Sequence, residues 1–214
     1  AVVSLPVSVL AVSVYNESFF SNIPHTLVDF ETDGAGIPVD VSMFPYYRTM
    51  PLDEYSALGF TFTPGLSPGV AWVTASSALP FPRGKTCLAA TSNDGDFYIN
   101  FSVPVYSFGF WIGHNASRPG VRFFEAYDDA GLLDVARFEG MAIDGRAGYI
   151  DYGFIGISTT SPITQIHVGG DIGSLDNFMF SDTPVAVPEP LTMISVLCSL
   201  VGLGAYMRRM ISHG

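Results

Sequence analysis

Cysteine and positive charge are both scarce in this chain. Of 214 residues only two are cysteine. Cys198 sits inside an apolar run near the C-terminus and cannot pair with Cys87 in the body. An intramolecular disulfide framework is therefore excluded, even in a compartment that would permit one. Cys87 then reads as a small buried hydrophobe. The four histidines, at 25, 114, 167 and 213, show no zinc-ligand spacing. Glycine-rich phosphate loops, H-E-x-x-H and paired C-x-x-C are missing as well.

Lys and Arg number 9 against 20 Asp and Glu. Setting aside Glu189, Arg208 and Arg209 of the tail leaves 7 against 19, a net charge of −12 before Pro188. A nucleic-acid partner needs a basic patch, and docking on anionic lipid head groups needs the same, so both are excluded. The acidity fits an exported, soluble body and would suit cation binding; solubility alone explains it equally well.

Sustained 3.6-residue periodicity is absent outside the two termini. Without crossover helices a parallel α/β fold is excluded. What is present is a series of short β-type runs punctuated by Gly, Pro, Asn and Asp. Candidate strands cover 26–31, 59–63, 70–75, 86–91, 97–102, 105–112, 121–127, 132–138, 149–158, 163–168 and 175–181. Several alternate, with Phe97, Ile99 and Phe101 on one face, Val121 and Phe123 on another, and Leu133 and Val135 on a third. Asn93-Asp94-Gly95 and Asp128-Asp129-Ala130-Gly131 read as hairpin turns. The pattern predicts an all-β chain, an antiparallel β-sandwich or jelly roll. Residues 1–14 are apolar and uncharged, and 1–20 read as the remnant of a secretory signal. A first β-strand is the competing reading.

The tail differs from the rest. Val187-Pro188-Glu189-Pro190 precedes an uncharged apolar run over 191–207, and Arg208-Arg209 follows. Such a run is at the short limit for a transmembrane helix, and the Arg pair supplies a cytoplasmic stop. These three features, in this order, resemble the PEP-CTERM sorting signal of Gram-negative bacteria. The resemblance implies an exported precursor anchored in the inner membrane, then processed at Pro188, Glu189 and Pro190 by an exosortase and placed at the cell surface or outside the cell.

The body also resembles ectodomains of that family in Leu27-Val28-Asp29-Phe30-Glu31, Gly59-Phe60-Thr61-Phe62, Phe108-Gly109-Phe110, Phe124-Glu125-Ala126-Tyr127-Asp128, Phe154-Ile155-Gly156-Ile157 and Leu175-Asp176-Asn177-Phe178. Those domains look like carbohydrate-binding jelly rolls, whose first and last strands are neighbours and can each supply a carboxylate to one structural Ca²⁺. That resemblance implies Glu31 (or Asp29) and Asp176 as ligands, with Asn177 and Asp33 adjacent. Calcium would want six to eight oxygens in all, backbone carbonyls included. Solvated acids at strand edges are the plain alternative.

Flat aromatics stack on sugar rings while a few placed polar groups bond the hydroxyls. The irregular segment 45–58 offers Tyr46, Tyr47 and Tyr55 beside Arg48; Trp72 and Trp111 lie in strands. Since Phe110 and Trp111 are neighbours in a strand, one of them faces outward. Any single aromatic can instead serve the core. For catalysis, Gly65-Leu66-Ser67-Pro68-Gly69 matches G-x-S-x-G, but the motif needs a following helix and Pro68 leads into a strand. Carboxylate pairs among Glu125, Asp128 and Glu139 could be drawn for glycoside hydrolysis, though nothing selects one.

The sequence therefore predicts a signal remnant (1–20), a β-sandwich ectodomain (21–183) and a sorting signal (184–214). The function that the resemblance implies is a non-catalytic surface or matrix protein associated with exopolysaccharide, with Ca²⁺ as the candidate cofactor. A secreted hydrolase of matrix polysaccharide is the alternative.

Overall fold

The computed structural model describes residues 11–39, 47–65, 69–74, 86–90, 96–115, 121–139, 150–170 and 174–185. Eleven strands lie among them: β1 (Ala11–Val14), β2 (Thr26–Val28), β3 (Tyr47–Thr49), β4 (Phe60–Pro64), β5 (Val70–Thr74), β6 (Thr86–Ala90), β7 (Phe97–Asn115), β8 (Val121–Asp128), β9 (Gly131–Glu139), β10 (Ile150–Gly170) and β11 (Ser174–Ser181). Helix among the described residues is confined to two 3-10 turns, Glu17–Asn22 and Ser56–Leu58.

Every strand pairing is antiparallel, as the short connections require. The main path runs β3-β5-β6-β11-β7-β10-β8-β9, with β1 on β10, β2 on β11 and β4 on β7. The two long strands, β7 and β10, serve both layers. Their first shared stretch pairs Asn115–Ser107 with Ile150–Ser158, and the register then jumps through Val105↔Ile163 to Asn100↔Gln165. Each strand carries surplus residues at that jump, so the pair bends there and turns one sheet into two. The first layer holds β3, β5, β6, β11, the 107–115 arm of β7, the 150–158 arm of β10, β1 and β2. The second holds β4, the 97–101 arm of β7, the 165–170 arm of β10, β8 and β9.

Aromatic side chains fill the space between the layers. Phe110 stacks on Phe178 (4.2 Å between centroids) and on Phe124 (5.3 Å), so one ring on β7 joins neighbours in both layers. Phe60 of β4 meets Phe178 and Phe180 of β11 edge-on at 5.3 and 5.7 Å. Offset and edge-to-face contacts of this kind add to the burial of large apolar area.

The sequence pattern anticipates the architecture better than the strand limits. Strands 97–102 and 105–112 are one strand, as are 149–158 and 163–168, because the bend is made by bulges within a continuous ladder. Expected strand 26–31 ends at Val28, since Phe30 adopts a left-handed backbone (φ 58°) that an extended ladder cannot hold. Phe97 and Ile99 are buried and Phe101 packs against the core, as the alternation predicts. On β8 the inward residues are Phe124 and Ala126, and Phe123 faces the other way. On β9 a bulge opposite Ala126/Tyr127 separates Leu133, which reaches the core, from Val135, which lies opposite Glu125. The Asp128–Gly131 hairpin forms as expected. Asp128 Oδ1 accepts from the Ala130 and Gly131 amides, and Gly131 takes a positive φ of 138°.

Within 1–20, read as signal remnant, Ala11–Val14 form β1 and Phe20 is buried against the first layer. The hairpin expected at Asn93-Asp94-Gly95 and the tail, including the apolar run 191–207, lie outside the described residues. Among the described residues no helix is long and apolar enough to cross a membrane.

Candidate functional site

The first layer has a second, smaller apolar cluster on its outer face. On β7 the residues Phe108, Phe110 and Ile112 point into the sandwich, so Gly109 and Trp111 point out. On β10 Phe154 does the same and lies opposite Trp111 in register. Gly109 is needed there, because any Cβ at that position would run into the Phe154 ring. Met179 of β11 completes the patch.

The N-terminal segment covers part of it. β1 pairs with the 156–159 stretch of β10, after which the chain turns back across the sheet as the 3-10 turn Glu17–Asn22. Asn16 caps that turn by accepting from the Ser18 amide at 2.9 Å. Phe20, 1% exposed, drives its edge onto Phe154 with centroids 6.0 Å apart. Val14 is buried in the same cluster, and Phe19 and Ile23 pack against it.

Between this strap and the sheet lies a cleft of about 670 Å³, walled by Trp111, Phe154, Tyr15, Glu17 and His25. That volume is within the ordinary range for small-molecule sites, as is the mixture of aromatic walls and a few polar groups. Trp111 is half-buried, meets Phe154 edge-on at 6.0 Å, and donates from Nε1 to Glu17 Oε2 at 3.1 Å. The hydrogen bond fixes the indole against the strap, so its ring is held at the cleft wall before any ligand arrives. Tyr15 is 62% exposed at the rim. The alternation required one of Phe110 and Trp111 to face outward, and it is Trp111. Tyr15 and Glu17 were missed because they belong to 1–20, read as signal remnant, and His25 because it falls just before the first candidate strand, 26–31.

Other expected site residues fall elsewhere. Trp72 is a core residue, 1% exposed; it donates from Nε1 to the Tyr55 hydroxyl at 3.0 Å, and Tyr55 in turn donates to the Thr32 carbonyl. The Arg48 guanidinium lies 5.3 Å from the Trp72 ring centroid. A ring so enclosed cannot stack on a sugar, which corrects that expectation. Burial drives the Tyr55 phenol well above its usual range, against the opposing pull of the Trp72 hydrogen bond. Tyr47 lies in β3, opposite Val73. Tyr46, Pro188, Glu189, Pro190, Arg208 and Arg209 lie outside the described residues, as does Ser67 of the G-x-S-x-G match.

Glu31, Asp176 and Asn177 lie on neighbouring segments of the first layer. β2 pairs with β11, so the segment after β2 runs beside Asp176. Glu31 Oε1 accepts from the Thr86 amide at 2.7 Å, and Asp176, 1% exposed, accepts from the Asn177 amide at 2.7 Å. Cys87 precedes Leu88, the β6 residue opposite Leu175. Burial raises its thiol far above the usual value, and the Asp176 and Glu31 carboxylates push it further. Asn177 is left-handed (φ 46°) at the point where β11 slips register against β7. Among the described residues no three His, Cys, Asp or Glu side chains form a metal-binding group. Asp33 Oδ1 accepts from the Ala35 and Ile37 amides and so shapes its own turn.

The chain matches no protein-family model and no curated protein. Among solved structures it is similar to the K1 cleaved adhesin domain of Lys-gingipain from Porphyromonas gingivalis W83, at 12% identity, covering 75% of this chain and 99% of that one with a TM-score of 0.43. The K2 cleaved adhesin domain of Lys-gingipain is 10% identical, covering 57% of this chain and 88% of that one, with a TM-score of 0.42. A family 29 carbohydrate-binding module is 12% identical, covering 76% of this chain and 92% of that one, with a TM-score of 0.30.

Proposed function

We propose that this chain is an exported, non-catalytic surface or matrix protein that binds extracellular polysaccharide through the cleft at Trp111. The observation that carries the reading is the cleft itself: an indole pinned by Glu17, a second aromatic wall in Phe154, and tyrosine, histidine and carboxylate groups at the mouth. This is the composition that recognises a sugar ring, apolar on its faces and hydroxylated at its edge. Glu125 and Asp128, from the alternative of a hydrolase, are engaged in other work. Asp128 holds a hairpin, and Glu125 accepts from Tyr127 and contacts His167.

The chain has two tryptophans, of which Trp72 is enclosed and Trp111 lines the cleft. Intrinsic fluorescence therefore reads the cleft through Trp111. Titration with neutral and acidic oligosaccharides should shift the emission, and Trp111→Ala should weaken binding measured by calorimetry about tenfold or more, roughly 1.4 kcal/mol. Neither heat nor shift across the whole panel would overturn the reading; steady hydrolysis of the same sugars would favour the enzyme.

The proposal extends to the tail and to calcium. Pro188-Glu189-Pro190, the apolar run and Arg208-Arg209 support handling by an exosortase, from a precursor anchored in the inner membrane; processing unaffected by Glu189→Ala would count against it. The pairing of β2 with β11, which sets the segment carrying Glu31 beside Asp176, supports a structural Ca²⁺, an ion held by carboxylate and carbonyl oxygens. With the ion held, Ca²⁺ should raise the thermal midpoint and chelator should lower it by more than about 2 °C. An unchanged midpoint excludes a tight site.

A further inference from the structure

The second layer presents its own outer face, on the side of the sandwich opposite the Trp111 cleft. Inward residues there are Phe97, Ile99, Phe124, Ala126, Ile166 and Val168, all buried. The residues between them form rows straight across five strands. One row reads Thr63–Tyr98–His167–Glu125–Val135 from β4 to β9, and its neighbour contains Asn100, Gln165 and Tyr127. At the usual strand spacing such a row is about 19 Å long.

These side chains are locked to one another. His167 directs Nδ1 at Glu125 Oε2 (2.8 Å) and Nε2 at Asp96 Oδ2 (3.0 Å). The imidazole thus bridges two carboxylates, one at each ring nitrogen. Tyr127 donates to the same Glu125 oxygen at 2.7 Å. Tyr98 stacks on the imidazole, 4.5 Å away and 15° from parallel, while Phe123 meets it edge-on at 5.4 Å. Gly169 leaves the room Phe123 occupies, since a Cβ there would strike its ring. In the adjacent row Gln165 Nε2 donates to Asn100 Oδ1, and Asn100 Nδ2 donates to Thr63 Oγ1, each at 2.7 Å.

Side chain–side chain bonds are a small minority in proteins, and on an open sheet face they are usually replaced by water. Here five of them hold amides, a phenol and an imidazole in place on a half-exposed surface. The ordering cost is met before a ligand arrives. Each amide uses one N–H in this network, which leaves its second for a ligand hydroxyl.

We infer that this face is a second saccharide site, a flat track for an extended neutral polysaccharide strand, so that each chain binds two glycan strands on opposite faces and bridges them. The inference rests on the saccharide reading of the Trp111 cleft for the bridging. Neutral glycan is specified because Asp96 and Glu125 flank the track and the chain carries a net charge of −11, which opposes polyanions.

The test is stoichiometry. Calorimetry on the full chain would use neutral hexasaccharides of β-linked glucose, galactose and N-acetylglucosamine, with oligogalacturonate as the acidic control. Wild type should bind two molecules of one neutral hexasaccharide, and Trp111→Ala should bind one. Asn100→Ala with Gln165→Ala should also bind one, and the fluorescence change from Trp111 should survive in it. Tyr98→Ala provides a stronger lesion, with far-UV circular dichroism confirming the fold; the amide pair remains informative if Tyr98→Ala does not fold. One molecule bound to wild type and none to Trp111→Ala would overturn the second site and leave the cleft standing. One molecule still bound to Trp111→Ala but lost in the amide variant would overturn the cleft instead. No binding of any neutral sugar would remove both, and preference for oligogalacturonate would overturn the neutral assignment.

Discussion

Glu125 shows how a single residue joins stability to surface chemistry. Partial burial raises its pKa, but hydrogen bonds from His167 and Tyr127, with the charges of His167 and Arg137, outweigh that and hold it below the usual carboxylate value of 4.5. The same bond pushes the Tyr127 phenol up to about 12. A carboxyl group whose pKa is lowered on folding stabilises the native state above its unfolded value, and that contribution is lost as pH falls through the lowered one. Glu125→Gln should therefore be less stable than wild type at pH 7, with the gap closing below about pH 4.5 as the wild-type carboxylate protonates. Urea midpoints of both proteins across that window measure it. A gap of constant size would mean the carboxylate charge is irrelevant and only its shape matters.

The segment before β2 has the clearest consequence among the elements. It is tied to the sheet by a four-residue strand and one buried ring, Phe20, set on Phe154. Truncating a buried phenylalanine costs about 3–5 kcal/mol, and a strap at the surface can partly collapse into the gap, so Phe20→Ala should cost about 3 kcal/mol. The strap should then lift from the sheet, and Trp111 emission should move to the red. Unchanged emission with lowered stability would show that the cleft does not depend on the strap. This segment is also where sequence reasoning stopped short. Residues 1–14, Val-rich and uncharged, read as export signal with a strand as the competing reading, and the pairing of Ala11–Val14 with β10 is not a local property. Alternation identified the layered all-β architecture and required one of Phe110 and Trp111 to face outward, because a period of two is a local property. It put Phe123 on the wrong side, since the residue that sets the parity of β8 is its neighbour Phe124, stacked on Phe110 from another strand. The Thr63–His167 row was equally invisible: its members come from five strands and are joined only by register. Trp72 failed for a related reason, as its partner Tyr55 lies in an irregular segment without a periodic signal.

At the scale of the molecule, β7 and β10 decide the behaviour. Each contributes one arm to either layer, and the bend between the arms is covalently continuous. Phe110, Phe124 and Phe178 stack across the interior, so the core is likewise shared. Neither layer can open without stripping the other of two strands and of the rings that fill its inner face. Unfolding should therefore be a single cooperative transition, despite the two layers and the separate apolar cluster under the strap. The two tryptophans both report on the first layer, Trp72 from β5 inside the core and Trp111 from β7 on its outer face. Far-UV circular dichroism reports on both layers together. Urea curves by fluorescence and by circular dichroism should coincide in midpoint and slope. A fluorescence transition well ahead of the dichroic one would show the first layer melting alone, and the shared strands would then be hinges between two units and not the common frame of one.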